Sequence, residues 1–313
     1  MARVFIIGGS GFVGAHVVRR FVADGHDVTV FAPSPEPCLT EADLADIVFW
    51  PGGVEERGAL DAMIATAKPD LVIGLAAFGE GGHGLVAAAA GDEAQAMAVN
   101  VGGFRTLLAA CERRKVARVL WASTFAVFGA PRHYAGGVAD EDAARLPETF
   151  YGLTKVLAED IARYWRDGRG LEVTGLRLPV VFGPGLWYRG AAAEIVDLFQ
   201  AAADGGAASL DVSDQPLELM YVDDVVRAFA HLADHQGPLD LIYNLQAYAP
   251  SLHELVAALK EIVPELDVAT TDVTPALAYA RVSGHKLAAD TGFETAYSLK
   301  QACEATVDAL RRV

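Results

Sequence analysis

Short apolar runs alternate with longer segments of helical period along the first half of the chain. Val4-Phe5-Ile6-Ile7 is a β-branched and aromatic run that predicts a buried strand, and Ala15–Ala23 has the period of a helix stopped by Asp24-Gly25. Asp27–Phe31 and Ile47–Trp50 predict the second and third strands, Glu55–Lys68 a helix, and Asp70–Ala77 a fourth strand running into a loop. Ala94–Arg114 predicts a long helix, Val116–Ala122 a fifth strand, Thr149–Arg166 another helix and Val173–Leu178 a sixth strand. Strands that are apolar throughout, each followed by a helix, predict an α/β fold with a parallel sheet covered on both faces. Beyond them come a helix at Glu194–Ala203, a short strand at Leu219 before a buried helix, Tyr243-Asn244-Leu245, and a helix from Ser251 to Ile262.

Composition narrows the picture. The 313 residues suffice for one large domain or a domain with a smaller partner, and 52% hydrophobic residues support a sizeable core. A formal net charge of −16 repels polyanions, which argues against nucleic acid or an anionic membrane surface as partner. No apolar run approaches the roughly 20 residues of a membrane span. The opening Arg3–Gly8 is broken too soon by glycine to be a signal peptide. Cys38, Cys111 and Cys303 are odd in number and lack metal-ligand spacing, so they predict reduced, structural thiols, a cytoplasmic location and no metal.

The first chemistry lies in the turn Gly8-Gly-Ser-Gly11-Phe12-Val13-Gly14 between the first strand and its helix. Strand, glycine turn, helix and strand fall within about 30 residues, the context of a dinucleotide-binding, Rossmann-like unit. Glycines let the backbone approach a pyrophosphate, and the amides of the helix start face it with positive partial charge. A tight turn that binds nothing is the competing reading.

The second lies in Tyr151-Gly-Leu-Thr-Lys155, a phenol and an ammonium one helical turn apart. A nearby positive charge favours the phenolate, so the pair can exchange a proton near neutrality. Such a pair is more often structural when it stands alone. Here it follows a strand ending in Ser123 and Thr124, where a doubly wound sheet holds its ligands.

With its G-x-x-G-x-x-G spacing, the chain resembles the extended short-chain dehydrogenase/reductase family, also called the NAD-dependent epimerase/dehydratase family. The resemblance runs to the C-terminus. It implies a doubly wound, Rossmann-like NAD(P)-binding domain over residues 1–175 that carries the catalytic residues. Residues 176–313 become mainly a small substrate-binding lobe, with some segments returning to the sheet. It further implies cofactor contacts at Gly8, Gly11, Phe12, Val13, Gly14 and the end of the second strand, Ala32. The fourth strand's end, Leu75-Ala76-Ala77, would line the ribose, Asn100 would support the active-site loop from beside the cofactor, and the backbone after Pro179, to Val181, would meet the nicotinamide. Ala32 replaces the acid that commonly selects NAD, yet no arginine beside it awaits a 2′-phosphate, so NAD and NADP both remain open. Ser34 could bond such a phosphate, or be a plain turn residue.

Ser123-Thr124-Phe-Ala-Val-Phe-Gly129 resembles the family's S-S-x-x-V-Y-G segment. Counting back from Gly129 makes Thr124 the hydroxyl that holds the substrate oxygen, with Ser123 in support and both facing the cofactor cleft. Tyr151 becomes the acid or base, and Lys155 lowers its pKa and binds the ribose. Phe125-Ala126 stand where dehydratases of this family carry an acid pair, which rules dehydration out. Arg177–Gly185 resembles R-x-x-N-V-Y-G-P-G with Val180 in place of asparagine. Leu217 stands seven residues before Asp224, where sugar-nucleotide enzymes commonly place a diphosphate-gripping arginine. Both departures weigh against a nucleotide sugar, and the pattern from Ala191 to Asp224 resembles the L-threonine dehydrogenase branch.

The resulting expectation is an oxidoreductase acting on a secondary alcohol or ketone of a small molecule. The alternative is a nucleotide-sugar (UDP-galactose-type) 4-epimerase with retained NAD, and a third reading is a cofactor-binding scaffold without chemistry. Trp187, Tyr188 and Arg189 could form a substrate lid, and the glycine-rich Phe78–Gly84 could border the substrate, with His83 more readily solvated than catalytic. Helices Ala94–Arg114 and Thr149–Arg166 resemble the pair that builds a homodimer in this family.

Overall fold

The computed structural model describes residues 1–79, 82–188, 193–274 and 277–312. The apolar runs form seven strands: β1 Arg3–Ile7, β2 Asp27–Ala32, β3 Val48–Pro51, β4 Leu71–Gly74, β5 Arg118–Thr124, β6 Val173–Leu178 and β7 Ile242–Asn244. Their order across the sheet is β7-β6-β5-β4-β1-β2-β3, and every pairing is parallel. The order reverses between β1 and β4, so a crevice opens beyond their carboxyl ends.

Alternation along each strand explains why the sheet is covered twice. Val4, Ile6 and Val30 pack on one side with Val18 and Phe21 of the helix Phe12–Ala23 and with Phe229 of the helix Val222–Asp234. Phe5, Ile7 and Val72 face the other side, against Ile64 of Arg57–Ala67, Leu107 of Phe104–Arg114 and Ala162 of Phe150–Arg169.

Two elements differ from expectation in ways that shape the site. The fourth strand stops at Gly74, and Leu75–Ala77 cross the glycine turn: a Cβ at Gly8 would lie 2.7 Å from the Ala76 nitrogen. The long helix is three segments, with a π turn at Met97–Gly103 between Glu93–Ala96 and Phe104–Arg114. Wide turns of this kind recur at functional sites, and this one contains Asn100.

The remaining chain forms the small lobe. Helices Ala193–Asp204, Leu252–Ile262 and Leu299–Leu310 surround a parallel pair, Ala207–Val212 with Asp267–Asp272. Val180–Phe182 pairs with Leu219–Tyr221, and Ile242–Asn244 returns to the edge of the main sheet as β7. Asp224 is fully buried at the start of its helix and accepts from the amides of Ala296 (2.7 Å) and Tyr297 (3.3 Å), which ties the segment before the C-terminal helix to the helix Val222–Asp234 on the main sheet.

Candidate active site

Gly8 ends β1 with φ +76°, a conformation that side chains resist, and its nitrogen donates to the Phe31 carbonyl at 2.9 Å. Gly11 caps the next helix without any side-chain hydrogen bond, so the amides of Phe12, Val13 and Gly14 have no side-chain cap. A Cβ on Gly14 would sit 2.2 Å from the Gly8 carbonyl oxygen. The turn is therefore closed to side chains and rich in helix-start amides, which fits a pyrophosphate. Ala32 is buried at the end of β2, and the Ser34 hydroxyl accepts from the Glu36 amide at 3.2 Å, which makes it a turn residue. Pro179 follows the end of β6 at Leu178, and Val181 lies in the Val180–Phe182 strand paired with Leu219–Tyr221.

Across the crevice lies the helix Phe150–Arg169, capped by the Thr149 side chain on the Gly152 amide (3.1 Å). Gly152 lets this helix approach: a Cβ there would lie 2.3 Å from the Ala126 carbonyl oxygen. The approach packs Tyr151 against Ala126, just past the end of β5, where the Thr124 hydroxyl accepts from the Ala126 amide at 3.2 Å. Burial pushes the phenol's pKa up, with Tyr188 adding to the rise and the nearby Thr124 opposing it.

Lys155 is 4% exposed, and its Nζ donates to the Ala122 carbonyl at 2.8 Å and lies 5.8 Å from the centre of the Tyr151 ring. Burial lowers its pKa to about 8, against the pull of Glu159. Desolvation acts on both groups and favours the neutral form of each.

Asn100 is buried with its amide spent inside the chain. Its Oδ1 accepts from the Phe78 amide (2.7 Å), and its Nδ2 donates to Thr154 Oγ1 (3.0 Å), which donates to the Tyr151 carbonyl (2.7 Å). It holds the loop after β4 to the helix Phe150–Arg169. A cavity of about 20 Å³, room for one water, is bordered by Asn100, Lys155, Ala122, Trp121 and Ala76.

Ser123 departs from expectation. Its hydroxyl donates to Glu159 Oε1 at 2.7 Å instead of facing the crevice. Glu159 is also held by Arg177 through both oxygens (2.8 Å each) and by Arg145 at 3.3 Å. Arg177 and Glu159 are both nearly sealed from solvent, and Arg177 stacks over Phe128 at 4.7 Å. Sequence reasoning missed Glu159. Its signal was an acid on the same helix face as Tyr151 and Lys155, one turn further on.

Tyr188 lies edge-on to Phe12 at 6.4 Å, and burial raises its pKa to about 12. His16 Nε2 bonds the Pro184 carbonyl at 2.9 Å, so the segment before Tyr188 rests on the first helix. Arg189 lies outside the described residues. Trp187 and His83 are both exposed, and His83 stands just before a helix, Gly84–Gly91, without capping it through its side chain. Among the described residues no group of three metal-ligating side chains occurs, and no helix is long and apolar enough to cross a membrane.

Known proteins resemble this chain in sequence and in fold. The NAD dependent epimerase/dehydratase family matches residues 4–245. A UDP-glucose 4-epimerase of Lactobacillus helveticus is 28% identical over 175 residues, which is 56% of this chain and 50% of that protein, so the chain spans only about half of that relative. The crystal structure of a Thermus thermophilus UDP-glucose 4-epimerase in complex with NAD superposes with TM-score 0.85 at 24% identity, covering 99% of both chains. An L-threonine dehydrogenase from Clostridium difficile superposes with TM-score 0.87 at 18% identity, covering 100% of this chain and 98% of that one. At such identities the superpositions speak to the fold, which the two activities share.

Proposed function

Because this chain belongs to the NAD dependent epimerase/dehydratase family, we propose that it is an NAD(P)-dependent oxidoreductase acting on a secondary alcohol or ketone of a small molecule. The observation that carries the reading is the placement of a buried Tyr151 beside the end of β5, one helical turn from a buried Lys155 and close to Thr124, at the crevice of the sheet. The glycine turn and the helix-start amides hold the cofactor's pyrophosphate. The bound cofactor supplies or accepts the hydride. With its pKa raised, Tyr151 is a neutral phenol and starts as an acid, giving its proton to a ketone oxygen that Thr124 orients. In the reverse direction Tyr151 must act as the phenolate to take the alcohol's proton, a form that Lys155 as an ammonium near the ribose would favour. Asn100 keeps the helix and the loop in register.

A second reading, the 4-epimerase with retained NAD, is favoured by the UDP-glucose 4-epimerases among the relatives. Against it stands Leu217, an apolar side chain packed on the lobe's core. The experiment that separates the two is to denature purified protein and identify any released nucleotide by mass. Net redox chemistry predicts an empty protein that binds NADH or NADPH reversibly, whereas stoichiometric NAD surviving dialysis would defeat it in favour of the epimerase. The tighter of the two cofactors also decides what Ala32 leaves open.

The proposal extends to a cytoplasmic homodimer built on the helices through Phe104–Arg114 and Phe150–Arg169, with residues 1–175 binding cofactor and 176–313 mainly substrate. Leu153 and Tyr164, 40% and 55% exposed on one helix, are the apolar side chains such a dimer would cover. Light scattering at micromolar concentration is expected to give twice the chain mass, and Leu153→Asp to give the monomer. A wild-type monomer would sink the dimer.

A further inference from the structure

The Lys155 ammonium is turned to strand β5, and two adjacent residues of that strand meet it. Ala122 gives the carbonyl that accepts from Nζ at 2.8 Å. Trp121, the residue before it, sets the centre of its indole ring 5.7 Å from Nζ, within reach of a cation–π contact. The ring is fixed in that place. It is 2% exposed and packs on Phe104 at 4.3 Å between centroids. It also fits against β6 where Gly175 has no side chain, since a Cβ there would lie 2.8 Å from the indole nitrogen.

A buried ammonium needs compensation. Trp121 and Lys155 border the same small cavity, and the other residues of its wall, Asn100 and Phe104 among them, are uncharged. The titratable groups that face Lys155 come from its own helix: Tyr151, with its ring centre 5.8 Å from Nζ, and Glu159 one turn further on. Glu159 is itself held by Ser123 of β5, Arg177 of β6 and Arg145. What β5 offers the charge is therefore one carbonyl and the π face of an indole, the strongest of the aromatic faces for a cation. The indole N–H finds no acceptor among the described residues, so a hydrogen bond does not account for a tryptophan here. An aliphatic side chain would pack in the core without burying that donor.

We infer that Trp121 is a positioning residue, whose indole face holds Lys155 as an ammonium beside the Tyr151 ring. What this does for the reaction rests on the reading of Lys155 as the group that favours the phenolate and binds the ribose. Attraction to the ring acts on the charged form alone, so it opposes the desolvation that drives Lys155 toward the neutral amine.

The test titrates Lys155 itself, by NMR of full-length protein whose lysines carry ¹³C at Cε. The signal lost in Lys155→Met is that of Lys155. Tryptophan bearing one to four fluorines is installed at position 121 alone, which drains the π face and keeps the ring's shape, and Trp121→Leu is measured beside it. The expected midpoint is about 8 with ordinary tryptophan. It is expected to fall step by step along the fluorine series, by about half a unit to one unit in all, and by as much in Trp121→Leu. A midpoint that stays put along the fluorine series overturns the inference. A fall confined to Trp121→Leu overturns it too, because packing alone then explains the change. If Trp121→Leu does not fold, the fluorinated proteins decide. A second arm measures NADH affinity against pH in the same proteins. Affinity that declines through the Lys155 midpoint and shifts with it supports the whole account. A moving midpoint to which NADH affinity is indifferent upholds the contact between Trp121 and Lys155 and defeats instead the reading that Lys155 binds the ribose.

Discussion

Tyr151→Phe is expected to lower kcat by about 10³-fold, within the range that general acid–base catalysis contributes, while cofactor affinity stays within a few fold. Tyr151 is 6% exposed and packed in an apolar cluster, so the phenyl ring keeps the packing and loses only the proton-carrying oxygen. Steady-state kinetics and a cofactor titration on the same preparation check both halves. A Phe variant as active as wild type would remove Tyr151 from the chemistry. Lys155 adds a pH signature. Its ammonium, with pKa lowered to about 8, is lost as pH rises through that value in the free protein. The limb of kcat/KM on the alkaline side is therefore expected near pH 8 and to vanish in Lys155→Met.

Arg177→Met is expected to destabilise the fold by about 3–5 kcal/mol, because it leaves Glu159 charged and buried after two 2.8 Å bonds are lost. Arg145 remains at 3.3 Å but is partly solvated and shared with Asp160. Removing both partners, as in Glu159→Leu with Arg177→Met, is expected to be milder than the single change, since no orphan charge remains. Urea unfolding of the two variants against wild type measures this. A single variant within about 1 kcal/mol of wild type would mean that the pair contributes far less than its burial implies.

The same pair marks the boundary of what the chain discloses. β1, the glycine turn and the Tyr151–Lys155 spacing were legible because each is local: a run of apolar residues, a cluster without side chains, a helical repeat. Ser123 was misplaced because its partner, Glu159, sits 36 residues further on, on an element whose rotation the strand does not specify. The pairing of Ala207–Val212 with Asp267–Asp272 escaped for a related reason. Asp267–Asp272 is largely exposed and polar, and in Ala207–Val212 the alternation is confined to Leu210-Asp211-Val212, too short a run to mark a strand. The π turn was hidden because helical period does not report where a helix widens, nor the tertiary approach at its end, where a Cβ on Gly103 would meet Val54 at 2.5 Å. The effect of burial on Tyr151 and Lys155 was likewise invisible, since desolvation depends on every neighbour at once.

The return of Ile242–Asn244 to the sheet sets a timetable for synthesis. When β6 leaves the ribosome its outer edge has no partner, and β7 follows only about 60 residues later. At about 5–20 residues per second, that edge waits for several seconds with its backbone groups open. The strand it exposes, Val173–Leu178, is almost wholly buried once folded. A nascent chain halted in this interval is the form of the protein most prone to pair with a neighbour. Slowing translation between the two strands would lower the soluble yield more than slowing it before β6 or after β7.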